Sequence, residues 1–231
     1  MSKTLILGDI HGRTIWQDII TKENPDKIIF LGDYVSTHDD ITSEQQCSNL
    51  EDILNYKKDN IDKVILLRGN HDDQHLGYYW AQCSGFDKKV SEYLISVKNT
   101  FLDLTKWVHI ENNVVYSHAG ISKVWLNNVA KIDDVTKIND LEPSEIFGFW
   151  PDSPLDYSGY STTQPPTWIR PSSLATCNIT DYDQVVGHTP VFKIVNIYKE
   201  CKGKRNIWLC DSLDNKEYLL IEDSNFNICK L

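Results

Sequence analysis

The chain has 231 residues, of which 41% are hydrophobic and 24% charged, a composition typical of a soluble globular protein with a sizeable core. Its net charge of −10 argues against long nucleic acid as a partner, and no apolar run is long enough to span a membrane. The chain enters a predicted strand directly after Thr4 without a signal segment, and its six cysteines are scattered. We therefore expect a single cytoplasmic domain over residues 1–231, with reduced thiols and no membrane partner.

Three runs in the first third of the chain predict buried central strands, because each is almost continuously apolar after a lysine. These runs are Lys3–Leu7, Lys27–Leu31 and Lys63–Leu67. The segments between them, Thr14–Glu23 and Ser43–Lys58, have helical spacing, and Ser43 with Gln46 resembles a capping box. Alternating strands and helices predict right-handed parallel crossovers.

The later part of the chain predicts a helix, a hairpin and several short strands. Ser91–Leu104 is predicted to be one helix, and Lys106–Ser117 a hairpin that turns at Asn112-Asn113. Asn128–Ser144 is polar and partly helical in pattern, and Asp183–Val186 is a short strand. Four alternating runs near the C terminus predict an antiparallel meander, namely Ile194–Tyr198, Asn206–Cys210, Glu217–Ile221 and Phe226–Cys229.

A proline-rich stretch precedes the last predicted strands. Five of the eight prolines fall between Pro151 and Pro171, among Ser, Thr, Gly and Tyr residues. This composition predicts a long loop at about 150–176 instead of regular structure. Long loops in compact domains usually carry function, so we expect this one to contact substrate.

Five apolar runs each end within a few residues of an Asp, Asn or His that is flanked by glycine or another small residue. The motifs are Gly8-Asp9-Ile10-His11-Gly12, Gly32-Asp33, Gly69-Asn70-His71-Asp72, Ser117-His118-Ala119-Gly120 and Gly187-His188-Thr189-Pro190. In open α/β sheets, sites form beyond the carboxyl ends of the strands. Oxygen and nitrogen ligands without sulfur suit divalent ions such as Mn, Fe, Zn or Ni. The remaining histidines, His38, His75 and His109, lack such a setting and are expected to be structural.

In this order the motifs resemble those of the calcineurin-like metallophosphoesterases, and the resemblance extends from Gly8 to Pro190. The ending GHTP, where many relatives have GHxH, resembles one branch. That branch contains the serine/threonine protein phosphatases, their small bacterial and phage relatives, and the symmetrical diadenosine tetraphosphate hydrolases. The resemblance implies an α/β fold, a four-layer α/β/β/α sandwich of two mixed β-sheets flanked by helices.

The resemblance also implies two divalent metal ions, with Mn the first choice and Fe, Zn or Ni as alternatives. By that resemblance Asp9 and His11 bind one ion, Asn70, His118 and His188 bind the other, and Asp33 bridges them. Two dications about 3.5–4 Å apart need such a bridging anion. The implied reaction is hydrolysis of a phosphate ester by in-line attack of metal-bound hydroxide.

Further roles follow from the same resemblance. His71 is expected to protonate the leaving alcohol, and Asp72 to orient its neighbours more than to react. Only four arginines are present, and guanidinium forks match phosphate better than lysine does. Arg68 and Arg170 are therefore expected to bind the substrate phosphate, with Arg13 a weaker candidate. The substrate is expected to be a phosphorylated protein or a small phosphate ester.

The chain departs from the family pattern after Asp33. Where the family has GDxVDRG, this chain has Ser36 in place of the aspartate that orients the catalytic histidine. Thr37 replaces the phosphate-binding arginine, and Asp39 or Asp40 could supply the missing carboxylate. Three functions stay open. A phosphomonoesterase of protein-phosphatase type is favoured over a nucleotide or dinucleoside polyphosphate hydrolase. The third, a metal-binding interaction module with weakened catalysis, is disfavoured by the presence of His71.

Overall fold

The structure, a computed structural model, describes residues 2–78, 83–143, 158–198 and 205–231. Predictions for Ser144 and for the first part of the proline-rich stretch, residues 150–157, lie outside these ranges. The helices are α1 (Ile15–Glu23), α2 (Ser43–Asp59), α3 (Asn70–His75), α4 (Lys88–Ser96), α5 (Lys98–Leu104) and α6 (Pro171–Cys177). No helix in these ranges is both long enough and apolar enough to cross a membrane.

Eleven strands are described. They are β1 (Lys3–Leu7), β2 (Lys27–Phe30), β3 (Val64–Leu67), β4 (Thr105–Lys106), β5 (Val108–Glu111), β6 (Val114–Ser117), β7 (Asp183–Val186), β8 (Val195–Asn196), β9 (Ile207–Leu209), β10 (Glu217–Glu222) and β11 (Asn225–Lys230). One sheet has the order β11-β10-β1-β2-β3-β4, and the other has the order β5-β6-β7-β9-β8. Both sheets mix parallel and antiparallel neighbours.

Alternate residues of the central strands face two different apolar layers. Leu5 and Leu7 of β1 pack with the buried faces of the helices α1, α2, α4 and α5. Ile6, between them, packs with Val185 and Cys210 from the second sheet. On the outer face of the second sheet, residues of α6 such as Leu174 cover the strands β7 and β9. The predicted α/β sandwich of two mixed sheets flanked by helices is confirmed.

The first three predicted strands are confirmed to within a residue, and the hairpin is confirmed except that it begins at Val108, since Lys106 belongs to β4 of the other sheet. Two helix details were wrong. The capping box is formed by Thr42 and Gln45, one residue before the predicted pair Ser43 and Gln46. The predicted helix Ser91–Leu104 is two helices, because Val97 leaves the helical conformation between α4 and α5. The segment predicted to be partly helical, Asn128–Ser144, begins at the end of a π-helical turn, Trp125–Val129, and contains a 3₁₀ helix at Val135–Asp140.

The predicted C-terminal meander was also wrong, although its four strands exist. The strands β8 and β9 join the second sheet, where β9 runs parallel to β7. The strands β10 and β11 instead extend the first sheet next to β1. Alternating polarity specifies which face of a strand is buried, but the partner of a strand is decided by tertiary packing.

The proline-rich stretch is not irregular throughout, contrary to the prediction. Residues 158–170 contain no regular element, but α6 begins at Pro171 inside the predicted loop. Proline is tolerated there because the first residue of a helix needs no N–H partner and has the φ angle that proline imposes. The irregular part packs against the second sheet, since the N–H of Ala119 donates to the carbonyl of Pro166.

One partly buried carboxylate connects α1 to two strands of the first sheet. Glu23, at the end of α1, accepts from Lys3 Nζ at 2.6 Å and from the Tyr218 hydroxyl at 2.5 Å. Burial raises the pKa of Glu23, but the bonds from Lys3 and Tyr218 outweigh burial and lower the pKa below its ordinary value. Ionised Glu23 therefore stabilises the contact between α1, β1 and β10.

We expect Glu23→Gln to lower the free energy of unfolding by about 1 kcal/mol at neutral pH. Because the folded-state pKa is lowered, this contribution is present above the unfolded pKa and is lost as pH falls through the folded pKa. The difference between wild type and variant should therefore vanish in acid. Urea unfolding at several pH values measures it, with exposed Glu51→Gln as the control. An equal difference at every pH would contradict the prediction.

Candidate metal centre

Backbone hydrogen bonds join the loops that carry the predicted ligands. The N–H groups of Ile10 and His11 donate to the carbonyl of Asp33, at 3.1 and 2.7 Å, and connect the loops after β1 and β2. The N–H of Gly187 donates to the carbonyl of His118 at 2.7 Å and connects the loops after β6 and β7. The turns themselves are strained, since His11, Asp33 and His188 have φ angles of 47°, 51° and 64°. Non-glycine residues with such angles are uncommon and are found in turns, at helix ends and at functional sites.

Each of three histidines has one ring nitrogen next to a backbone carbonyl. Nδ1 of His11 lies 3.2 Å from the carbonyl of Val35, and Nδ1 of His118 lies 2.9 Å from that of Leu31. Nε2 of His188 lies 3.2 Å from the carbonyl of Trp168. A carbonyl can only accept, so these nitrogens would carry the protons if the other nitrogen of each ring bound a metal ion. In each neutral ring the other nitrogen then has a lone pair that can bind a metal ion.

Those lone pairs converge on the predicted oxygen ligands. Nε2 of His118 and Nδ1 of His188 each lie 2.9 Å from Asn70 Oδ1. Nε2 of His11 lies 3.9 Å from an Asp9 oxygen, and the ligand atoms of Asp9, His11 and Asp33 all lie within 4.8 Å of one another. The structure thus brings all six predicted ligands together, in two groups.

Asp33 lies between the two groups. Its Oδ2 is 4.0 Å from His11 Nε2 on one side and 3.4 Å from His118 Nε2 on the other. Its Oδ1 accepts the N–H of His71 at 2.9 Å. A Cβ on Gly69 would overlap this oxygen, so only glycine leaves room for the carboxylate there. Asp33 has the position that a bridging carboxylate requires.

Burial and neighbouring charges shift the pKa values of the buried carboxylates and of His118. Burial raises the pKa of Asp9 well above its ordinary value, and the charge of Asp211 raises it further. Burial also raises the pKa of Asp33, but His118 and His71 outweigh burial and hold it well below its ordinary value. Burial lowers the pKa of His118, but Asp33 and Asp9 outweigh it and raise this pKa to about 10. A proton on His118 thus compensates a carboxylate.

The donor set fits divalent metal ions. Asp9 and Asp33 are almost fully buried, and buried carboxylates need a cation or must take up a proton. Imidazole, amide oxygen and carboxylate are ligands that Mn, Fe, Zn and related ions accept, and ligand imidazoles must be neutral. Burial, followed by the charges of His118 and Arg170, lowers the pKa of His188 well below its ordinary value and keeps its ring neutral.

Asp72 binds backbone amides and not the neighbouring histidine. Its Oδ2 accepts the N–H groups of Asp33 and Gly69, each at 2.9 Å, and its Oδ1 accepts that of Tyr34 at 2.8 Å. The side chain therefore fixes the loop after β2 to the loop that begins α3. Burial and the charge of Asp33 raise the pKa of Asp72 to about 7, against the opposing effect of the amides. This geometry gives Asp72 a positioning role.

His71 lies at the edge of the centre, with Nε2 4.0 Å from Asp33 Oδ2 and 14% of its side chain exposed. Its Nδ1 is buried and has no hydrogen-bond partner in the described ranges. The hydroxyl of Ser36 is also buried and also lacks a partner there. Asp39 and Asp40 do not supply the missing carboxylate, contrary to that suggestion. Both are exposed, and Asp39 pairs with Arg13 at 2.8 Å.

The three predicted arginines have different surroundings. Arg13 is engaged by Asp39 and by Asp214, the latter at 2.5 Å. Arg68 is buried, with its guanidinium carbon 3.5 Å from the centre of the Trp107 ring. Arg170 lies beside the predicted ligands, since its Nη1 donates to the carbonyl of His188 at 3.4 Å. Of the three, Arg170 has the arrangement that suits phosphate binding at the centre.

Asp211 was not identified from the sequence. It follows β9, is 8% exposed, and its charge acts on Asp9. Burial raises the pKa of Asp211 to about 6, so it adds a third carboxylate to the centre. The signal was present, because Leu209-Cys210-Asp211 repeats the pattern of an apolar strand that ends in an aspartate. It was missed because this strand was assigned to a separate meander.

The His75 and His109 side chains lie outside the centre, as expected. Nδ1 of fully buried His75 donates to the carbonyl of His71 at 2.8 Å, and its Nε2 accepts the N–H of Asp87 at 3.2 Å. Nδ1 of His109 accepts from Lys106 Nζ at 3.1 Å. Both rings join neighbouring structural elements and face no predicted ligand.

Solved structures with a similar fold include three named phosphatases or phosphoesterases. The cold-active protein-tyrosine phosphatase of a psychrophilic Shewanella species has a TM-score of 0.65 at 17% identity, covering 100% of this chain and 78% of its own. A Saccharomyces cerevisiae protein serine/threonine phosphatase similar to human phosphatase PP5 has a TM-score of 0.60 at 14% identity, with coverage of 100% and 79%. A metallophosphoesterase from Sphaerobacter thermophilus has a TM-score of 0.57 at 14% identity, with coverage of 100% and 88%.

These identities are low, so the three structures establish a shared fold and no more. No curated protein sequence matches the chain significantly. A sequence model of one protein family does match, and it extends over residues 2–192, which include all five motifs. The chain therefore belongs to the calcineurin-like phosphoesterase family, and its fold and motif order agree with that membership.

Proposed function

We propose that this protein is a dinuclear-metal phosphoesterase that hydrolyses phosphate monoesters, with a mechanism like that of the protein phosphatases. The observation that carries the proposal is the convergence of the five other predicted ligand side chains around Asp33, with the charge of Arg170 beside them. Two of the proteins with a similar fold are named as protein phosphatases, which supports a phosphorylated protein or a small phosphate ester as the substrate.

In this proposal Asp9 and His11 hold one divalent ion and Asn70, His118 and His188 hold the other, with Asp33 between them. When bound, the ions activate the attacking water and neutralise the phosphoryl oxygens. The protein contributes rigidity, because the ligands lie on loops that are joined by backbone hydrogen bonds and by Asp72. Arg170 binds the phosphate from the side of His188.

His71 is proposed to give a proton to the leaving oxygen from Nε2, the ring atom that faces Asp33. Burial lowers the pKa of His71 to about 4, so the ring is neutral at physiological pH until a phosphate dianion binds beside it. A carboxylate on Nδ1 would raise this pKa and fix the tautomer, but the described residues provide none. Protonation of the leaving group is therefore the weak part of this site, and aryl phosphates should be its best substrates.

The first test concerns metal content. After loading with Mn²⁺, the purified protein should hold about two ions per chain. Asp33→Asn should lose both more readily than Asn70→Ala does, because only Asp33 lies between the two ligand groups. Elemental analysis after gel filtration measures this, with exposed Asp52→Asn as the control. Absence of bound metal together with absence of a thermal shift with Mn²⁺ would exclude the proposal.

The second test concerns His71. His71→Asn should lower kcat by about 10²–10⁴-fold on an alkyl phosphate while the metal content is unchanged. On an aryl phosphate the loss should be smaller, because a phenolate leaves without a proton. The measurement is kcat and KM for wild type and variant on one ester of each kind. If the two losses are equal, His71 is not the acid, and a wild type inactive on all esters and nucleotides would favour the binding module.

The third test restores the missing carboxylate. Ser36→Asp should raise kcat on an alkyl phosphate about tenfold, since a nearby carboxylate raises a histidine pKa by about one unit or more. Ser36 has a φ angle of 69°, which aspartate and asparagine tolerate better than most residues. Ser36→Asn, which has the size of aspartate but no charge, is the control and should not raise the rate. A similar gain in both variants would refute the electrostatic explanation.

A further inference from the structure

The guanidinium of Arg170 is held through one of its three nitrogens. Nη1 donates to Thr189 Oγ1 at 3.2 Å and to the carbonyl of His188 at 3.4 Å. Within the described ranges, Nε and Nη2 have no hydrogen bond to protein, and no carboxylate lies within 4.0 Å of the guanidinium. These two nitrogens form one edge of the guanidinium, and such an edge binds two phosphate oxygens side by side.

The stem of Arg170 is fixed independently of its tip. Its N–H donates to the carbonyl of Gly159 at 2.9 Å, and the residue precedes the first turn of α6. The side chain passes close to Gly159, where a Cβ would lie 2.9 Å from Arg170 Cγ and 2.6 Å from the carbonyl oxygen of Trp168. The backbone and the stem are therefore constrained, and the orientation of the tip depends on the two acceptors at Nη1.

Only one of those acceptors is a side chain. The carbonyl of His188 belongs to the strained turn that carries a predicted metal ligand, whereas the Thr189 hydroxyl could be removed without changing the backbone. Thr189 is half-buried and follows His188 directly in the chain. Its hydroxyl oxygen therefore links the orientation of the guanidinium to the loop that supplies the metal ligand.

We propose that Thr189 is a positioning residue for phosphate binding: its hydroxyl oxygen holds Nη1 of Arg170 and so presents the Nε and Nη2 edge to a phosphate at the metal centre. The proposal rests on the proposed function, because it assigns Arg170 to the substrate phosphate. It adds a determinant of phosphate affinity that does not itself touch the reacting atoms. A monoester dianion, which offers three oxygens, is the ligand class that this edge fits.

The experiment compares Thr189→Val, which keeps the shape of threonine and removes the acceptor, with Thr189→Ser, which keeps the acceptor. The assays use Mn²⁺-loaded protein, an aryl phosphate as substrate and inorganic phosphate as competitive inhibitor. Thr189→Val should raise KM and the inhibition constant of phosphate together by about five- to tenfold, the effect of one hydrogen bond, with kcat changed less than about threefold. Thr189→Ser should stay within about twofold of wild type. Exposed Thr180→Val makes the same chemical change elsewhere and serves as the control.

A double-mutant cycle separates positioning from a structural effect. In an Arg170→Gln background, Thr189→Val should change the inhibition constant less than about twofold, because the group that it positions is absent. Metal content and melting temperature are measured for every variant. The proposal is overturned if Thr189→Val leaves KM and the inhibition constant unchanged. It is equally overturned if Thr189→Ser is as impaired as Thr189→Val, or if the effect persists in the Arg170→Gln background.

Failure of the proposed function gives a different result. If the wild type hydrolyses no ester, calorimetric titration with inorganic phosphate replaces the inhibition assay, and the same cycle is measured as phosphate affinity. Loss of affinity in Thr189→Val, with rescue by serine, would then support the role of Thr189 in anion binding although the protein is not a phosphatase. Absence of any phosphate binding by the wild type would overturn both proposals.

Discussion

The arrangement depends on one electrostatic constraint, which is that three carboxylates are buried together at the ends of parallel strands. Asp9, Asp33 and Asp211 follow β1, β2 and β9, and none is more than 8% exposed. Buried like charges raise one another's pKa, so without cations at least one of the three must take up a proton. Burial and the charges of Asp211 and Asp33 raise the pKa of Asp9, whereas the charges of His118 and His71 outweigh burial and lower that of Asp33. Cations at the centre would allow all three to ionise.

Before a cation arrives, the charges of this site only partly balance, because His118 offsets one carboxylate while the other carboxylates repel one another. The protein instead fixes the loops through neutral contacts. Backbone N–H groups donate to the carbonyls of Asp33 and His118, and the far nitrogens of the ligand histidines bond to carbonyls of neighbouring loops. Three carboxylates also take part. Asp72 accepts three amides, Asp33 accepts the N–H of His71, and Asp9 accepts that of His188. Such a frame preorganises the ligands before a metal ion binds.

The sequence was informative where local pattern and function coincide. An apolar run that ends abruptly in glycine and a polar residue predicts both a buried strand and a position at the site. The side chains of Asp9, Asp33, Asn70, His118 and His188 could therefore be placed together. A sixth strand of this kind, β9, was predicted as a strand but not as a parallel one that ends at the site. Its alternating pattern also fits an antiparallel strand, and only packing against β7 decides between them. Asp211, which follows β9, was not predicted at the site for the same reason.

Other features depend on contacts that no local pattern encodes. The split between α4 and α5 at Val97 is one example, because the helical periodicity of the sequence continues through it. The ion pair between Arg13 and Asp39 joins residues that are 26 positions apart. The sequence could therefore suggest Asp39 as a substitute carboxylate but could not show that it pairs with Arg13. The position of Arg170 beside His188 likewise required the folded chain.

The positions of the arginines show that the groups missing at Ser36 and Thr37 are not replaced from elsewhere in the described ranges. The family pattern places a carboxylate and an arginine there, and the fold offers no replacement for either within the described ranges. Arg13 is neutralised by two carboxylates, and Arg68 lies against Trp107. Arg205 donates to the carbonyl of Thr180. On the proposed function, phosphate binding therefore falls mainly to Arg170.

On the proposed function the site has one arginine for the phosphate and an acid, His71, without a carboxylate on Nδ1 in the described part of the chain. Such a site prefers esters with good leaving groups. On the proposed function all six predicted metal ligands are present, and the missing groups are one arginine for the phosphate and the carboxylate that supports the acid on the leaving side of the transition state. Esters whose leaving group is a stable anion need that support least. The physical chemistry thus favours aryl over alkyl phosphates for this chain, and it makes the orientation of Arg170 a larger share of substrate affinity than in a site with two arginines.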